Sequence, residues 1–200
     1  MTDSPVGPVL VLYYSHNGAT KNMANKIAQG IEKTGLEAML RTVPEVSNNL
    51  QHSQAPVPDH GDPFVNKNDL ALCSGLALGS PTRFGNMAAA LKYFLDSTSK
   101  EWLCGSLVNK PASVFTSTGS LHGGQESTLL TMMIPLLHHG MILCGLPYTL
   151  PELHSTSTGG SPYGASHHAS DESGARLSLE ENALCVAQGQ RLAELAMKLN

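Results

Sequence analysis

The sequence carries little charge and few aromatic residues. Charged residues make up 14% of the chain, aromatic residues make up 5%, and the net charge is −4. The twelve Lys and Arg residues form no cluster, which argues against a nucleic-acid-binding surface. No apolar run is long enough to span a bilayer, and the N-terminus lacks the pattern of a signal peptide. We therefore expect a cytoplasmic protein with no nucleic-acid or membrane partner.

Several well-known functional motifs are also missing. The four cysteines form no C-x-x-C pair, which excludes a zinc ribbon or a thioredoxin-type site. They fit buried free thiols in a reducing compartment. The nine histidines lack the H-E-x-x-H spacing and suitable carboxylate partners, so no metal site is predicted. The P-loop, the G-x-G-x-x-G turn and the G-x-S-x-G elbow of hydrolases are absent as well.

Strand-like and helix-like runs alternate along the whole chain. Strands are predicted at residues 9–14, 36–41, 71–79, 111–116 and 141–144. Helices are predicted at residues 21–34, 87–96, 126–138 and 179–199, the last with a capping box formed by Ser178 and Glu181. This alternation predicts one α/β domain over residues 1–200, a doubly wound parallel sheet with helices on both faces. Two surface excursions, at about 44–68 and 151–177, fit lids, subunit contacts or disorder.

The first strand runs directly into a turn that is rich in hydroxyl and amide groups, Ser15-His16-Asn17-Gly18-Ala19-Thr20. A loop between a strand and a helix aims free backbone N–H groups at one point, where the helix dipole favours an anion. The segment therefore predicts a phosphate site. An ordinary turn capped by Ser15 or Asn17 is the alternative interpretation.

Two later loops also follow predicted strands, at residues 81–86 and 117–124. In an open α/β sheet, ligands bind beyond the carboxyl ends of the strands, so we expect the three loops to converge. The second loop offers a backbone turn around Thr82, Arg83 and Phe84, and the glycines of the third allow a planar ring to approach closely. A phosphate joined to a flat ring by a polyol chain is flavin mononucleotide (FMN), which the three loops together predict.

These segments resemble the flavodoxin-like NAD(P)H:quinone oxidoreductases of type IV, the WrbA family. The resemblance rests on residues 9–20, 79–87 (GSPTRFGNM), 115–119 with 123–126, and 138–141 (HHGM), and it extends over nearly the whole chain. It implies a flavodoxin-like, five-stranded parallel sheet in the order 2-1-3-4-5. It also implies bound FMN and a homotetramer built as a dimer of dimers.

The resemblance further implies roles for individual residues. The FMN phosphate would bind Ser15, His16, Asn17, Gly18, Ala19 and Thr20. The ribityl chain and the ring would contact Pro81, Thr82, Arg83, Phe84 and Gly85, and the other edge of the ring would contact Ser117, Thr118, Gly119, Ser120, Leu121 and His122. His138 would meet the ring as a catalytic residue, and Asn17 and Trp102 would contact the substrate.

Alternatives remain for two of these residues, and two positions depart from the family pattern. Without the family pattern, core packing is the favoured interpretation of Trp102, and His138 with His139 fits a pair stabilised by a helix C-terminus. Asn17 stands where the family often has an aromatic residue, and loop 117–123 is one residue longer than the family pattern.

The implied activity is the two-electron reduction of quinones by NADH or NADPH. A hydride would pass through the flavin N5 atom, and a single shared site would give ping-pong kinetics. One alternative is a flavodoxin-type electron carrier without turnover, although the modest net charge argues against it because carriers find partners through strong surface fields. Another is an FMN-binding regulatory or interaction protein.

Overall fold

A parallel sheet with helices packed against it forms the centre of the molecule. The computed structural model describes residues 6–47, 58 and 60–199. In chain order the elements are β1 (Val9–Tyr13), α1 (Ala19–Glu32), β2 (Ala38–Thr42), α2 (Lys67–Leu72), β3 (Gly75–Pro81), α3 (Ala89–Asp96), α4 (Ser99–Leu103), β4 (Pro111–Thr118), α5 (Gln125–His138), β5 (Ile142–Leu143), α6 (Glu152–Ser155), β6 (Ser166–His168) and α7 (Leu179–Leu199).

The strand order confirms the predicted flavodoxin-like topology. Strands β2-β1-β3-β4-β5 are neighbours in that order, and all pairs are parallel. The sequence did not predict the short strand β6, which pairs with the carboxyl end of β4. Strand β5 pairs only with the beginning of β4, so the two short strands share that neighbour.

The side chains of β1 alternate between two hydrophobic cores. Val9 and Val11 face a core built mainly with α1 and α7, whereas Leu10 and Leu12 face a core built with α3 and α5. All four side chains are completely buried. A strand that is apolar on both sides needs helices on both faces of its sheet, and this arrangement confirms the doubly wound architecture.

Helices α1 and α7 pack with their backbones in close contact. A Cβ atom on Gly30 would lie 2.1 Å from the Val186 carbonyl oxygen, and one on Gly189 would lie 2.0 Å from the Ile27 carbonyl oxygen. Only glycine therefore permits this approach. The contact lies at Ile27 and Gly30, in the second half of α1, the helix that follows the first of the three predicted ligand loops.

Two boundary predictions were wrong. Residues 71–72 belong to α2 and not to a strand, because Asn66 and Asp69 form a capping box that starts a helical turn. The segment 151–177 contains α6 and β6 where the sequence showed no regular element. The predicted capping box of Ser178 and Glu181 is confirmed by hydrogen bonds of 3.1 and 2.8 Å.

The first excursion lies partly outside the described residues, namely at residues 48–57 and 59. Its described end runs beside β2, where the Val65 N–H donates to the Thr42 carbonyl.

Among the helices that the structure describes, none has the length and apolarity to cross a membrane. The cysteine prediction holds for three thiols, which are buried, and is wrong for Cys104, which is exposed.

Candidate functional site

The first loop presents unpaired backbone donors at the start of α1. Gly18 occupies the N-cap position with φ of 87°, and no side chain caps the helix there. Its N–H donates to the Ser15 hydroxyl at 3.1 Å, which holds the turn. The N–H groups of Ala19, Thr20 and Lys21 have no acceptor within the described part of the chain. Such a helix N-terminus attracts an anion.

Hydrogen bonds join the three loops to one another. The hydroxyls of Thr20 and Ser117 lie 2.9 Å apart and are buried, which links the first loop to the third. The Thr82 N–H donates to the Ser117 carbonyl at 2.9 Å, which links the second loop to the third. The loops enclose a pocket of about 240 Å³, lined by Ser15, His16, Asn17, Ala19, Thr20, Pro81, Thr82, Arg83, Ser117, Thr118, Gly119 and Ala169. The expected convergence is confirmed.

The second loop holds an aromatic side chain in full contact with solvent. Arg83 and Asn86 exchange backbone hydrogen bonds of 2.7 and 3.0 Å across a tight turn. Both central residues have left-handed backbones, with φ of 53° at Phe84 and 76° at Gly85. A bulky residue rarely adopts this conformation, and Phe84 is fully exposed. Strain of this kind occurs where a side chain is presented to a ligand or a partner.

The end of the third loop lies outside the pocket. Ser120, Leu121 and His122 are exposed and do not line the pocket. The Ser120 carbonyl accepts a hydrogen bond from the Thr118 hydroxyl, and the Leu121 carbonyl accepts one from the Gln125 amide. These bonds fix the backbone of the loop and leave its side chains free. Gly18, Phe84 and Gly85 also lie next to the pocket without lining it.

Trp102 and His138 lie together in a second pocket of about 440 Å³. The Trp102 indole N–H donates to the His138 carbonyl at 2.8 Å, and both side chains are exposed. This pocket shares no lining residue with the pocket of the three loops. Within one chain, Trp102 and His138 therefore lie in a different pocket from the loops with which the resemblance grouped them.

The His139 side chain links two elements that line this second pocket, a role that the sequence did not indicate. The Thr98 hydroxyl donates to the Leu95 carbonyl at 2.6 Å and so accepts from His139 Nε2 at 3.0 Å. Its other ring nitrogen has no partner in the described structure, which fits a neutral ring. Burial lowers the pKa of His139, and the Glu101 carboxylate only partly offsets this effect. The bond ties the end of α5 to the segment between α3 and α4.

Among the described residues, no cysteine lines either pocket. Burial raises the pKa of Cys73 and of Cys144 to about 11, so both are protonated thiols at neutral pH. No group of three or more His, Cys, Asp or Glu residues could hold a metal ion in the described structure.

Ala169, which lines the pocket of the three loops, was missed by the sequence analysis because alanine carries no chemical signal in a sequence.

Comparisons with known proteins agree with this geometry. The family model for NADPH-dependent FMN reductases matches residues 8–150. A protein of Geobacter sulfurreducens named NAD(P)H dehydrogenase (quinone) is 45% identical over 96% of this chain and 98% of its own length. A protein of the same name from Syntrophobacter fumaroxidans is 41% identical, again over 96% of this chain and 98% of its own.

Solved structures share the fold at low sequence identity. A WrbA-like flavodoxin protein from Agrobacterium tumefaciens superposes with a TM-score of 0.69, at 20% identity, over 97% of this chain and 99% of that chain. An archaeal flavodoxin superposes with a TM-score of 0.61, at 17% identity, over 95% and 99% of the two chains. The chain therefore belongs to the NADPH-dependent FMN reductase family and, within it, to the NAD(P)H dehydrogenases (quinone) that it matches along nearly its whole length.

Proposed function

We propose that this protein binds FMN and uses it to pass two electrons from NADH or NADPH to quinones. One observation carries the proposal: three hydrogen-bonded loops at the carboxyl ends of β1, β3 and β4 enclose one pocket beside a helix N-terminus. The relatives named NAD(P)H dehydrogenase (quinone) support the reaction.

The donors of the pocket match the chemistry of FMN. The free N–H groups of Ala19, Thr20 and Lys21 and the hydroxyl of Ser15 would bind the phosphate dianion. Residues 81–83 would bind the ribityl chain and one edge of the ring, and residues 117–119 would bind the other side. Bound FMN supplies the ring that accepts a hydride and releases electrons to an acceptor.

We also propose that the working protein is a homotetramer, a dimer of dimers. The support is the separation between the pocket of the three loops and the pocket of Trp102 and His138. A second copy would bring its Trp102 and His138 to the ring that the first copy holds. Helices α3, α4 and α5 carry an exposed apolar set that suits such an interface, namely Tyr93, Trp102, Leu103, Leu130, Ile134 and Leu137.

Within this assembly the chain's own residues would position the substrate and exclude water. The half-exposed Trp102 ring offers a flat platform for a quinone or a nicotinamide, and the His138 carbonyl holds its orientation. Phe84 offers a second exposed aromatic face. Because both substrates are flat and compete for the same surface, the kinetics should be ping-pong.

An anaerobic titration tests the proposed reaction. The purified protein is loaded with FMN, and its visible absorbance is followed while NADH or NADPH is added and then benzoquinone. We expect the nucleotide to bleach the flavin directly and benzoquinone to restore the colour. Reduction only by a separate reductase would favour an electron carrier, and double-reciprocal plots that intersect would contradict one shared site.

We propose a cytoplasmic location as well. All four cysteines are free thiols, and three of them are buried. Buried, unpaired thiols fit a reducing compartment better than an oxidising one. Cell fractionation with an antibody against the chain would check this location.

A further inference from the structure

A buried histidine next to the phosphate pocket carries two hydrogen bonds that the proposed reaction does not use. His167 lies on β6, and its side chain is 1% exposed. Its Nδ1 atom is 2.7 Å from the Glu181 carboxylate, and its Nε2 atom is 2.9 Å from the Gly174 carbonyl. Glu181, near the start of α7, is also 1% exposed.

The partners of this ring determine its protonation. A carbonyl oxygen can only accept, so Nε2 must carry a proton that it donates to Gly174. The Glu181 carboxylate accepts N–H bonds from Gly159, His168 and Ser178, and three such donors stabilise its ionised form. An ionised carboxylate also only accepts, so Nδ1 must carry a proton too. The ring is therefore an imidazolium.

The segment that this imidazolium holds is a wall of the phosphate pocket. We call residues 169–177, between β6 and α7, the strap. Ala169 lines the pocket, and its N–H donates to the Thr118 carbonyl at 2.8 Å. Ala175 accepts a hydrogen bond of 2.8 Å from the Asn22 side chain of α1. A Cβ atom on Gly18 would lie 3.8 Å from that of Ala175, so the strap covers the start of α1.

We propose that His167 is a positioning residue whose imidazolium ties the strap to Glu181 and thereby keeps the strap closed over the FMN phosphate. The proposal rests on the proposed function, because it concerns the same cofactor pocket. The His167 side chain does not line the pocket and acts through Gly174 and the strap. Loss of its proton removes the donor to Gly174 and frees the strap to open.

The charges around His167 come from few groups. Glu181 of α7 is the only charged side chain that shifts its pKa in the described structure. The paired residues of β4 are uncharged, and Lys26 of α1 acts on Cys185 of α7. Helix α7 also carries Glu180, whose carboxylate accepts from the Ser178 hydroxyl, β6 carries His168, and the strap carries Asp171, Glu172 and Arg176.

The direction of the pH dependence follows from two pKa shifts. Burial lowers the pKa of His167, but the bonds to Glu181 and Gly174 outweigh burial and raise it above its ordinary value. Burial raises the pKa of Glu181, but the bond from His167 and two backbone N–H bonds outweigh burial and lower it. The contribution of the His167 imidazolium to the stability of the folded state is therefore complete below about pH 6.5 and is lost as the pH rises through its raised pKa. The stabilising contribution of the Glu181 carboxylate is lost only when the pH falls through its lowered pKa.

The protonation of His167 can be measured on the wild-type protein without any substitution. Nitrogen-15 NMR of the histidine rings separates an imidazolium from either neutral tautomer. We expect both nitrogens of His167 to be protonated at pH 7, and a His167→Gln variant assigns the signal. A neutral His167 ring at pH 7 would overturn the proposal.

The effect on the cofactor is measured as the ratio of FMN dissociation constants between His167→Gln and the wild type. Glutamine is neutral at every pH and can keep only one of the two contacts. We expect about tenfold weaker binding by the variant at pH 6 and a ratio that falls toward one at pH 9. The phosphate of FMN also titrates near pH 6, but this effect is common to both proteins and cancels in the ratio.

His168→Gln is the matched control, because the side chain of His168 makes no hydrogen bond in the described structure. We expect its ratio to stay near one at every pH. A ratio for His167→Gln that does not change with pH would overturn the role of His167 and leave the proposed function intact. Failure of all three proteins to bind FMN at any pH would overturn the proposed function and, with it, the role of the strap.

Discussion

At the scale of single residues, hydroxyl groups connect loops that come from distant parts of the sequence. The buried bond between Thr20 and Ser117 spans 97 positions of the chain. Thr82 is anchored in a similar way, since its hydroxyl accepts from Thr128 at 2.8 Å. Buried hydroxyls that lose their partner are costly, so these residues set the shape of the pocket.

Thr20→Val should weaken FMN binding by about tenfold, because it removes the bond that joins the first loop to the third while preserving side-chain shape. Fluorescence quenching of FMN gives the dissociation constant. Thr34→Val is the control, since the Thr34 hydroxyl makes one bond to the Ile31 carbonyl at the far end of α1. Equal FMN affinity in Thr20→Val and the wild type would show that this bond does not shape the site.

At the scale of elements, α1, which follows the phosphate loop, packs against α7 with the two backbones in close contact. Gly189→Ala should lower the free energy of unfolding by about 2 kcal/mol. Alanine favours a helix by about 1 kcal/mol, but its Cβ atom would lie 2.0 Å from the Ile27 carbonyl oxygen, and overpacking against backbone costs about 3 kcal/mol, the upper end of its usual range.

Urea denaturation checks the prediction for Gly189→Ala. Gly119→Ala is the control for stability, because nothing lies within 4 Å of the position of its Cβ atom and its φ is not left-handed. If Gly189→Ala proved as stable as the wild type, the close backbone contact of the two helices would be wrong.

Elements with a clear period could be predicted from the sequence, and short elements could not. The apolar run of β1 and the capping box of α7 identified both ends of the fold correctly. The short helix α2 was missed because only Cys73 and Ser74 separate its apolar end, residues 70–72, from the next strand. Strand β6 was missed because Ser166, His167 and His168 owe their place to Glu181 and Gln125, which are remote in sequence.

The same limit applies to the candidate site. Hydroxyl, amide and glycine residues after predicted strands were sufficient to indicate the three loops. The strap could not be predicted, since it contacts α1 through the backbone of Ala175 and lines the pocket through Ala169. Sequence patterns report side-chain chemistry, and they do not report which backbone groups meet in space.

At the scale of the whole molecule, the exposed apolar residues of α3, α4 and α5 point to assembly. If the homotetramer forms through this surface, Ile134→Glu should dissociate it, because a charge in an apolar contact is costly to bury. Light scattering after size-exclusion chromatography gives the mass. Leu179→Glu is the control, since Leu179 is also aliphatic and exposed but lies at the start of α7. A wild-type monomer would contradict the proposed tetramer.

We propose that the pocket of the three loops holds the phosphate of FMN. Isothermal titration of the cofactor-free protein with FMN and with riboflavin, which lacks the phosphate, measures what the phosphate contributes to binding. We expect one FMN bound per chain, with riboflavin binding at least about 100-fold more weakly, since several charge-assisted bonds are lost. Equal affinity for the two compounds, or no binding of FMN at all, would contradict it.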